Sequence, residues 1–397
     1  MKNPFVVYIL TFGGVIIVYQ LGWSEIYPAI SVDTLAFFGL SFVLAAALAL
    51  AVSPAVAAIG TYRPMLPSYT VIIPLVCFLA DIVYTGYVPL LEMISGTSFV
   101  YTRFVGVPSV HVFAVTFGSA FATIRFADFL YERHRWRRLQ YLAEAMMPVI
   151  YSLLVVYRGP ALIILTSWSF VFVIKRGRIG ARPAVIVTVI GLGVLMLNGL
   201  IGEARTGSLQ NLGFPSREFK LSGVPESYFA TYLYATGPIA NFQYAVTTTE
   251  PTYDPSQAPR FLISELLPDF ISNRLLPLIA TARPAVPEMS KGFNVSSIFG
   301  RSYLLFGWIG VLLVFAWLMA VALSYLALIL RSPYAVPCLA LLNTLVVFSV
   351  FDNMIAVTAV SLQLVWPLLL GLLPLNPPGL TSEPGRSQDL RSIKRRR

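Results

Sequence analysis

Arginines beside apolar runs are the residues of this sequence best suited to bind an anionic substrate. Arg158 opens the apolar run in YRGPALIILTSW (157–168), where Gly159 and Pro160 favour the start of a helix. A guanidinium can bind a phosphate or diphosphate through two parallel hydrogen bonds. An arginine near the end of a membrane span can also simply reach the lipid headgroups, so both interpretations stay open on the residues alone.

Four further arginines lie in or beside a long segment, 202–302, that separates two groups of apolar runs. Arginines that meet on one face of a membrane would form a site for an anionic lipid diphosphate. The segment contains eight basic and eight acidic side chains, so some of these cations can equally pair as surface salt bridges. The four are Arg205 in IGEARTG, Arg217 in FPSREFK, Arg274 and Arg301.

A transfer reaction onto a hydroxyl also needs a group that accepts the hydroxyl proton. Among the carboxylates of the same segment we choose Asp269 as the candidate, while Asp352 in FSVFDNM (348–354) either caps the next helix or pairs with one of the arginines. His111, at the end of an apolar run, is a further candidate, although a lone histidine at a membrane interface is more often structural. Asp81 lies inside an apolar run, where it could pair internally. No metal-ligand cluster, phosphate-binding glycine loop or nucleophile elbow occurs in the sequence, so we expect a metal-independent protein without a cofactor.

Apolar runs that must carry these residues dominate the 397-residue chain, which is 57% hydrophobic and only 12% charged. Such a composition predicts an all-α polytopic membrane protein, because only helices satisfy their own backbone groups across a bilayer when no β-barrel pattern is present. We count ten runs long enough to span the hydrocarbon. They cover 4–21, 34–59, 69–87, 109–130, 141–157, 159–174, 183–201, 302–330, 334–352 and 354–373.

Basic residues in the short loops predict the orientation of these spans. With ten spans, the basic loops and the tail, which ends in Lys394 and three arginines, all lie on one side, so both termini are expected in the cytoplasm. We divide the chain into a seven-span bundle (1–201), a large external loop with amphipathic helices (202–301), a three-span bundle (302–373) and a basic disordered tail (374–397). In the external loop we expect a helix over 227–246 that is interrupted at Gly237-Pro238, and an amphipathic helix over 260–279. Because topology explains the net charge of +10, we expect membrane lipid and no nucleic acid as a partner.

Several stretches resemble the Wzy-type O-antigen polymerases, the oligosaccharide repeat-unit polymerases. The resemblance covers about 155–315 and the layout of the spans. It rests on Arg158-Gly159, KRGRIGAR (175–182), EARTG (203–207), YLYATGPIANF (232–242) and FGRSYLLFGWIGVLL (299–313).

The resemblance implies a GT-C-like membrane glycosyltransferase in the bacterial inner membrane. Its substrates would be undecaprenyl-diphosphate-linked oligosaccharides, polymerised at the periplasmic face, and a regulator of polysaccharide chain length would be a further partner. By position, Arg158, Arg205 and Arg217 would bind the diphosphates. Tyr232 and Asn241 would contact sugar, although the same residues would serve equally well as the core of the loop.

Two alternatives accompany this hypothesis. An O-antigen ligase is disfavoured, because the related ligase architecture uses a histidine in its external region and residues 202–302 contain none. A lipid-linked oligosaccharide flippase, or another transporter, should carry charged residues at mid-membrane depth. Most of the predicted spans are expected to bury few charges, which disfavours this alternative.

Overall fold

The computed structural model describes residues 2–64, 66–95, 104–177, 213–250, 253–286, 288–290 and 293–373. Within these ranges the protein is all-α, and the single β-type contact is an isolated antiparallel bridge between Ser24 and Pro215. The predicted tail, 374–397, and the predicted seventh span, 183–201, lie outside the described residues.

Seven helices make up the described part of the first half of the chain. They are α1 (Pro4–Tyr19), α2 (Val32–Ala58), α3 (Ile72–Thr85), α4 (Pro89–Ile94), α5 (Val110–Tyr131), α6 (Arg135–Leu154) and α7 (Arg158–Arg176). Two of them begin at side-chain caps, since Asn3 accepts a hydrogen bond from the Phe5 N–H and Ser31 accepts one from the Thr34 N–H. Such caps satisfy backbone donors that a helix start leaves unpaired.

The described residues of the second half contribute six helices and several short helical turns between Pro255 and Leu266. The helices are α8 (Arg217–Leu221), α9 (Ser227–Thr248), α10 (Asp269–Leu275), α11 (Gly300–Ile329), α12 (Ala335–Phe348) and α13 (Thr358–Leu372). Helix α11 is broken near its start, where Phe306 and Gly307 leave helical geometry and Gly307 has φ +53°.

Five helices of the described chain are long and apolar enough to cross a membrane. They are α2, α3 with its preceding 3-10 turn (Ser68–Thr85), α5, α7 and α11. Helices α1, α12 and α13 are apolar but shorter, and α6 covers the predicted run 141–157. The expectation of an all-α protein with membrane-type helices is therefore confirmed, whereas ten spans and their orientation stay predictions.

Helices α5, α6 and α7 pack against one another, and α12 packs on α7. The buried side of α5 is rich in small residues, among them Ala114, Ala120, Ala122 and Ala127. Small side chains let neighbouring backbones approach closely, which is how helices associate where water supplies no driving force. The three helices run consecutively with short connections, so the start of α5, the end of α6 and the start of α7 meet at one end of the bundle.

Two local expectations from the sequence are wrong. Gly237-Pro238 was expected to interrupt a helix, but α9 continues through both residues. The ring of Phe293 packs closely on this turn of α9, since a β-carbon at Gly237 would be only 3.0 Å from it. The amphipathic helix expected over 260–279 is instead divided at Leu267 and Pro268, where the backbone is extended.

Candidate functional site

Arg158 opens α7 directly after a tight turn, as the sequence predicted. Helix α6 ends at Leu154, Val156 adopts φ +58°, and the Tyr157 N–H donates to the Ser152 carbonyl over 2.8 Å. The first turn of α7 has no side-chain cap and contains no acidic residue. The partly buried Arg158 therefore lies at the positive end of the α7 helix dipole.

A histidine and an aspartate form a hydrogen-bonded pair in the same part of the bundle. His111, in the first turn of α5, has its Nδ1 2.7 Å from Oδ2 of Asp81 on α3. The Asp81 side chain is completely buried, whereas the His111 side chain is 16% exposed. One edge of the imidazole is thus held inside the protein while the ring reaches the surface.

Other groups fix the carboxylate of Asp81 in place. The Tyr151 hydroxyl donates to Oδ2 over 2.8 Å, and the Val107 N–H donates to Oδ1 over 2.8 Å. Gly106 has φ +64°, and a β-carbon there would lie 2.7 Å from Asp81 Oδ1 and 2.8 Å from His111 Nδ1. Only glycine combines this backbone conformation with so close an approach.

The ring of Tyr157 connects the histidine to the start of α7. Its centroid lies 6.1 Å from that of His111, and Arg158 is the next residue in the chain. A titratable nitrogen and a guanidinium therefore occupy the same end of the α5–α7 bundle. Nothing in the sequence indicates that α3 packs on α5, so the contact between Asp81 and His111 was not predicted.

Arg301 and Asp352, both predicted to bind substrate, contact each other. The guanidinium makes two hydrogen bonds to the carboxylate, of 2.7 Å and 3.1 Å, and both side chains are about one-sixth exposed. The pair joins the first turn of α11 to the connection between α12 and α13. This outcome corresponds to the alternative in which Asp352 pairs with an arginine.

Glu265, another carboxylate of the predicted external segment, is buried beside this pair. Glu265 accepts hydrogen bonds from Ser264 over 3.0 Å and from the Asn353 amide over 3.3 Å. Burial raises the pKa of Glu265, and the positive charge of Arg301 partly offsets that rise. Arg283 donates from Nη2 to the Ser264 carbonyl and to the Ser272 hydroxyl, so a second guanidinium borders the cluster.

Asp269, predicted to be catalytic, connects two segments of backbone. Its N–H donates to the Ala356 carbonyl over 2.7 Å, and its Oδ1 accepts from the N–H and the hydroxyl of Thr358. The side chain thus fastens the start of α10 to the start of α13. These contacts give Asp269 a structural role that the sequence did not suggest.

The remaining predicted site residues lie in different settings. Tyr232 is buried against Trp23 and Tyr27, at ring-centroid distances of 5.3 and 5.7 Å. Asn241 is fully buried; its amide donates to the Phe293 and Val295 carbonyls and accepts from the Met289 N–H.

Burial therefore gives no support to sugar contact by Tyr232 or Asn241, because both belong to the core around α9. Arg217 and Arg274 are exposed on short helices, and Arg205 lies outside the described residues.

A second charged network occupies the opposite end of α5. Arg125 is completely buried, with Nη1 2.9 Å from Asp128 and Nε 2.6 Å from Glu144, and it donates to the Leu66 and Pro67 carbonyls. At 1.5 Å per residue, it lies about 21 Å along the helix from His111. The expectation that the spans bury few charges overlooked this network.

Within the described residues, no three His, Cys, Asp or Glu side chains are grouped so that they would hold a metal ion. Comparison with protein families, curated proteins and solved structures gives no match.

Proposed function

We propose that this protein is an oligosaccharide repeat-unit polymerase of the bacterial inner membrane. It would extend an O-antigen or related surface polysaccharide by transferring a growing chain from one undecaprenyl diphosphate onto a repeat unit on another. The observation that carries the proposal is the position of Arg158, partly buried at the uncapped start of an apolar helix and one residue from the ring contact with His111.

The start of α7 offers two kinds of contact to a diphosphate. The Arg158 guanidinium matches a pair of phosphate oxygens, and the positive end of the α7 helix dipole also attracts anions. Open space adjoins this turn, since a β-carbon at Gly159 would meet no atom within 4 Å. A diphosphate leaving group needs its charge neutralised more than it needs a proton, so a cation at this place favours the transfer without a metal.

Arg301 would offer a second anionic contact where a diphosphate displaces Asp352. Arg301 already holds Asp352 in the bidentate geometry that a diphosphate would use, and both side chains are partly exposed. An apolar groove lies beside this cluster, between Leu262 and Leu266 on one side and Trp317 of α11 on the other. Such a groove suits the hydrocarbon of a lipid-linked substrate or a membrane lipid.

Deletion of the gene tests the proposal most directly. We expect surface polysaccharide from the deletion strain to lose its ladder on a gel, with single repeat units remaining on the lipid A-core. Lipid-linked repeat units should accumulate in extracts of the same cells. Long polymer in the deletion strain would rule out the polymerase, and long polymer stranded on the lipid carrier would indicate the ligase instead.

Arginines at the two ends of α7 provide a matched pair of variants. Arg158→Ala should abolish elongation, and Arg158→Lys should restore it only in part, because a lysine keeps the charge but loses the bidentate geometry. Arg176→Ala, in the last turn of the same helix, removes a cation that stacks on Phe172 and should leave polymer length unchanged. Equal effects at both ends would indicate a general contribution of basic residues to insertion or folding.

A transporter is the second candidate, and the buried network around Arg125 favours it. Charged side chains inside a helical bundle often line the path of a transported ion or substrate. Purified protein in liposomes distinguishes the candidates: movement of lipid-linked oligosaccharide between leaflets without elongation supports the transporter. Against it, the described contacts of Arg125 occupy its guanidinium with two carboxylates and two carbonyls.

A further inference from the structure

The contacts of Asp81 determine which nitrogen of His111 carries a proton. A carboxylate only accepts hydrogen bonds, and Asp81 already accepts from Tyr151 and from the Val107 N–H. The third contact, with Nδ1 of His111, therefore requires Nδ1 to be the donor. In the neutral ring this leaves Nε2 unprotonated, with its lone pair at the edge directed away from Asp81.

We propose that His111 is the general base that accepts the proton of the acceptor hydroxyl, and that Asp81 positions its imidazole. This assignment rests on the proposed glycosyl transfer and adds the proton acceptor to it. Asp269 is the base predicted from the sequence, but its carboxylate accepts hydrogen bonds from Thr358. His111 instead combines an accessible ring with a fully buried orienting partner.

In the proposed transfer, each bond that forms is matched by a bond that breaks. The acceptor oxygen forms a bond to the anomeric carbon while its proton moves to Nε2 of His111. The bond between the anomeric carbon and the diphosphate oxygen breaks, and the diphosphate leaves with the electron pair. Arg158, the residue after Tyr157, neutralises the leaving group. The imidazolium then loses its proton to water and returns to the starting tautomer.

Residues from four segments of the chain hold Asp81 and His111 in place. Four elements converge on the pair: α3 carries Asp81, the segment before α5 carries Gly106 and Val107, α5 carries His111, and α6 carries Tyr151. The ring of Tyr151 is itself fixed by stacking on Phe78, with centroids 3.9 Å apart. Hydrogen bonds that orient a base in this way are typical of catalytic histidines.

Elongation by purified protein tests the assignment, because the chain has only two histidines. His111→Gln should lower the rate of elongation roughly 100- to 10,000-fold, the usual contribution of a general base. His134→Gln, at an exposed position before α6, is the matched control and should retain the wild-type rate. Binding of lipid-linked repeat units should persist in both variants, and unchanged thermal unfolding midpoints in detergent would show that both are folded.

The outcomes distinguish a failure of His111 as general base from a failure of the proposed polymerase function. If wild-type protein elongates and His111→Gln elongates equally fast, the assignment is wrong and the polymerase stands. If wild-type protein does not elongate lipid-linked repeat units at all, the proposed function fails and the assignment falls with it.

A spectroscopic measurement keeps the assignment testable even where His111→Gln does not fold. In His134→Gln protein His111 is the only histidine, so ¹⁵N NMR of labelled imidazole reports its tautomer directly. We expect a protonated Nδ1 and an unprotonated Nε2, and the reverse would overturn the assignment. Asp81→Asn should shift the population towards the Nε2-protonated tautomer and lower elongation, whereas Tyr151→Phe keeps the carboxylate and should preserve the tautomer.

Discussion

Arg301 and Asp352 join the broken start of α11 to the connection between α12 and α13 through hydrogen bonds of 2.7 Å and 3.1 Å. The two residues are 51 positions apart, so the pair closes a long loop of the chain. Because Asp352 already occupies the guanidinium, a substrate diphosphate would have to displace this carboxylate. The pair therefore has a structural role, and binding of a diphosphate by Arg301 would break this link between α11 and the α12–α13 connection.

A double-mutant cycle on Arg301 and Asp352 should reveal strong coupling. We expect an interaction free energy of about 0.5–3 kcal/mol, typical of residues in direct contact. Arg301→Ala should cost more than Asp352→Ala, because the same guanidinium also faces the buried Glu265. Urea unfolding in detergent micelles measures the four free energies, and Arg274→Ala, on an exposed side chain, is the control. Additive single-mutant effects would contradict the coupling.

The raised pKa of Glu265 should make the protein more stable in mild acid. Burial raises this pKa above the usual value of 4.5, so the folded state binds the proton more tightly than the unfolded state does. The free energy of unfolding should therefore rise as the pH falls through the folded pKa, and this gain should level off near pH 4.5. Glu265→Gln should reduce that dependence. Parallel curves for wild type and variant over the whole range would show that Glu265 does not titrate there.

Removal of Arg125 should destabilise the bundle severely. Arg125→Met leaves Asp128 and Glu144 without their buried cation, and breaking a buried ion pair in this way typically costs about 3–5 kcal/mol. Arg138→Ala removes an exposed arginine that contacts Phe129 and should have little effect. Thermal unfolding in detergent measures the difference.

Replacing all three charges of this network distinguishes charge imbalance from lost packing. The variant Arg125→Met, Asp128→Leu, Glu144→Leu leaves no uncompensated charge, so it should be more stable than Arg125→Met alone. A triple variant that is less stable than the single one would mean that the network contributes net stability.

Hydropathy and local residue preferences predicted the helices well but could not predict which of them touch. The start of α7 at Arg158 follows from Gly159 and Pro160, and a helix covers every predicted apolar run in the described chain. The pair of Asp81 and His111 spans 30 positions and exists only because α3 packs on α5. No periodicity in either helix carries that information.

The burial of polar side chains could not be predicted from the sequence either. Tyr232 and Asn241 have the side chains of a sugar site, yet packing of α9 against its neighbours encloses both. Arg125 has the side chain of a loop residue, yet two carboxylates and two backbone carbonyls satisfy it inside the bundle. A polar side chain can be placed inside a fold only once its partners are known, and these partners come from distant parts of the chain.

Two glycines with positive φ allow a matched test of the support around Asp81. Gly106, at φ +64°, leaves no room for a β-carbon between Asp81 and His111, whereas Gly86, at φ +81°, has open space around it. Alanine at either position should cost about 1–2 kcal/mol of stability through the left-handed backbone alone. Only Gly106→Ala should also displace the imidazole, so we expect it to lower elongation and alter the ¹⁵N signals of His111, while Gly86→Ala keeps both. If both variants lose elongation equally, backbone strain explains the loss. The close contact of Gly106 with Asp81 and His111 would then have no role in catalysis.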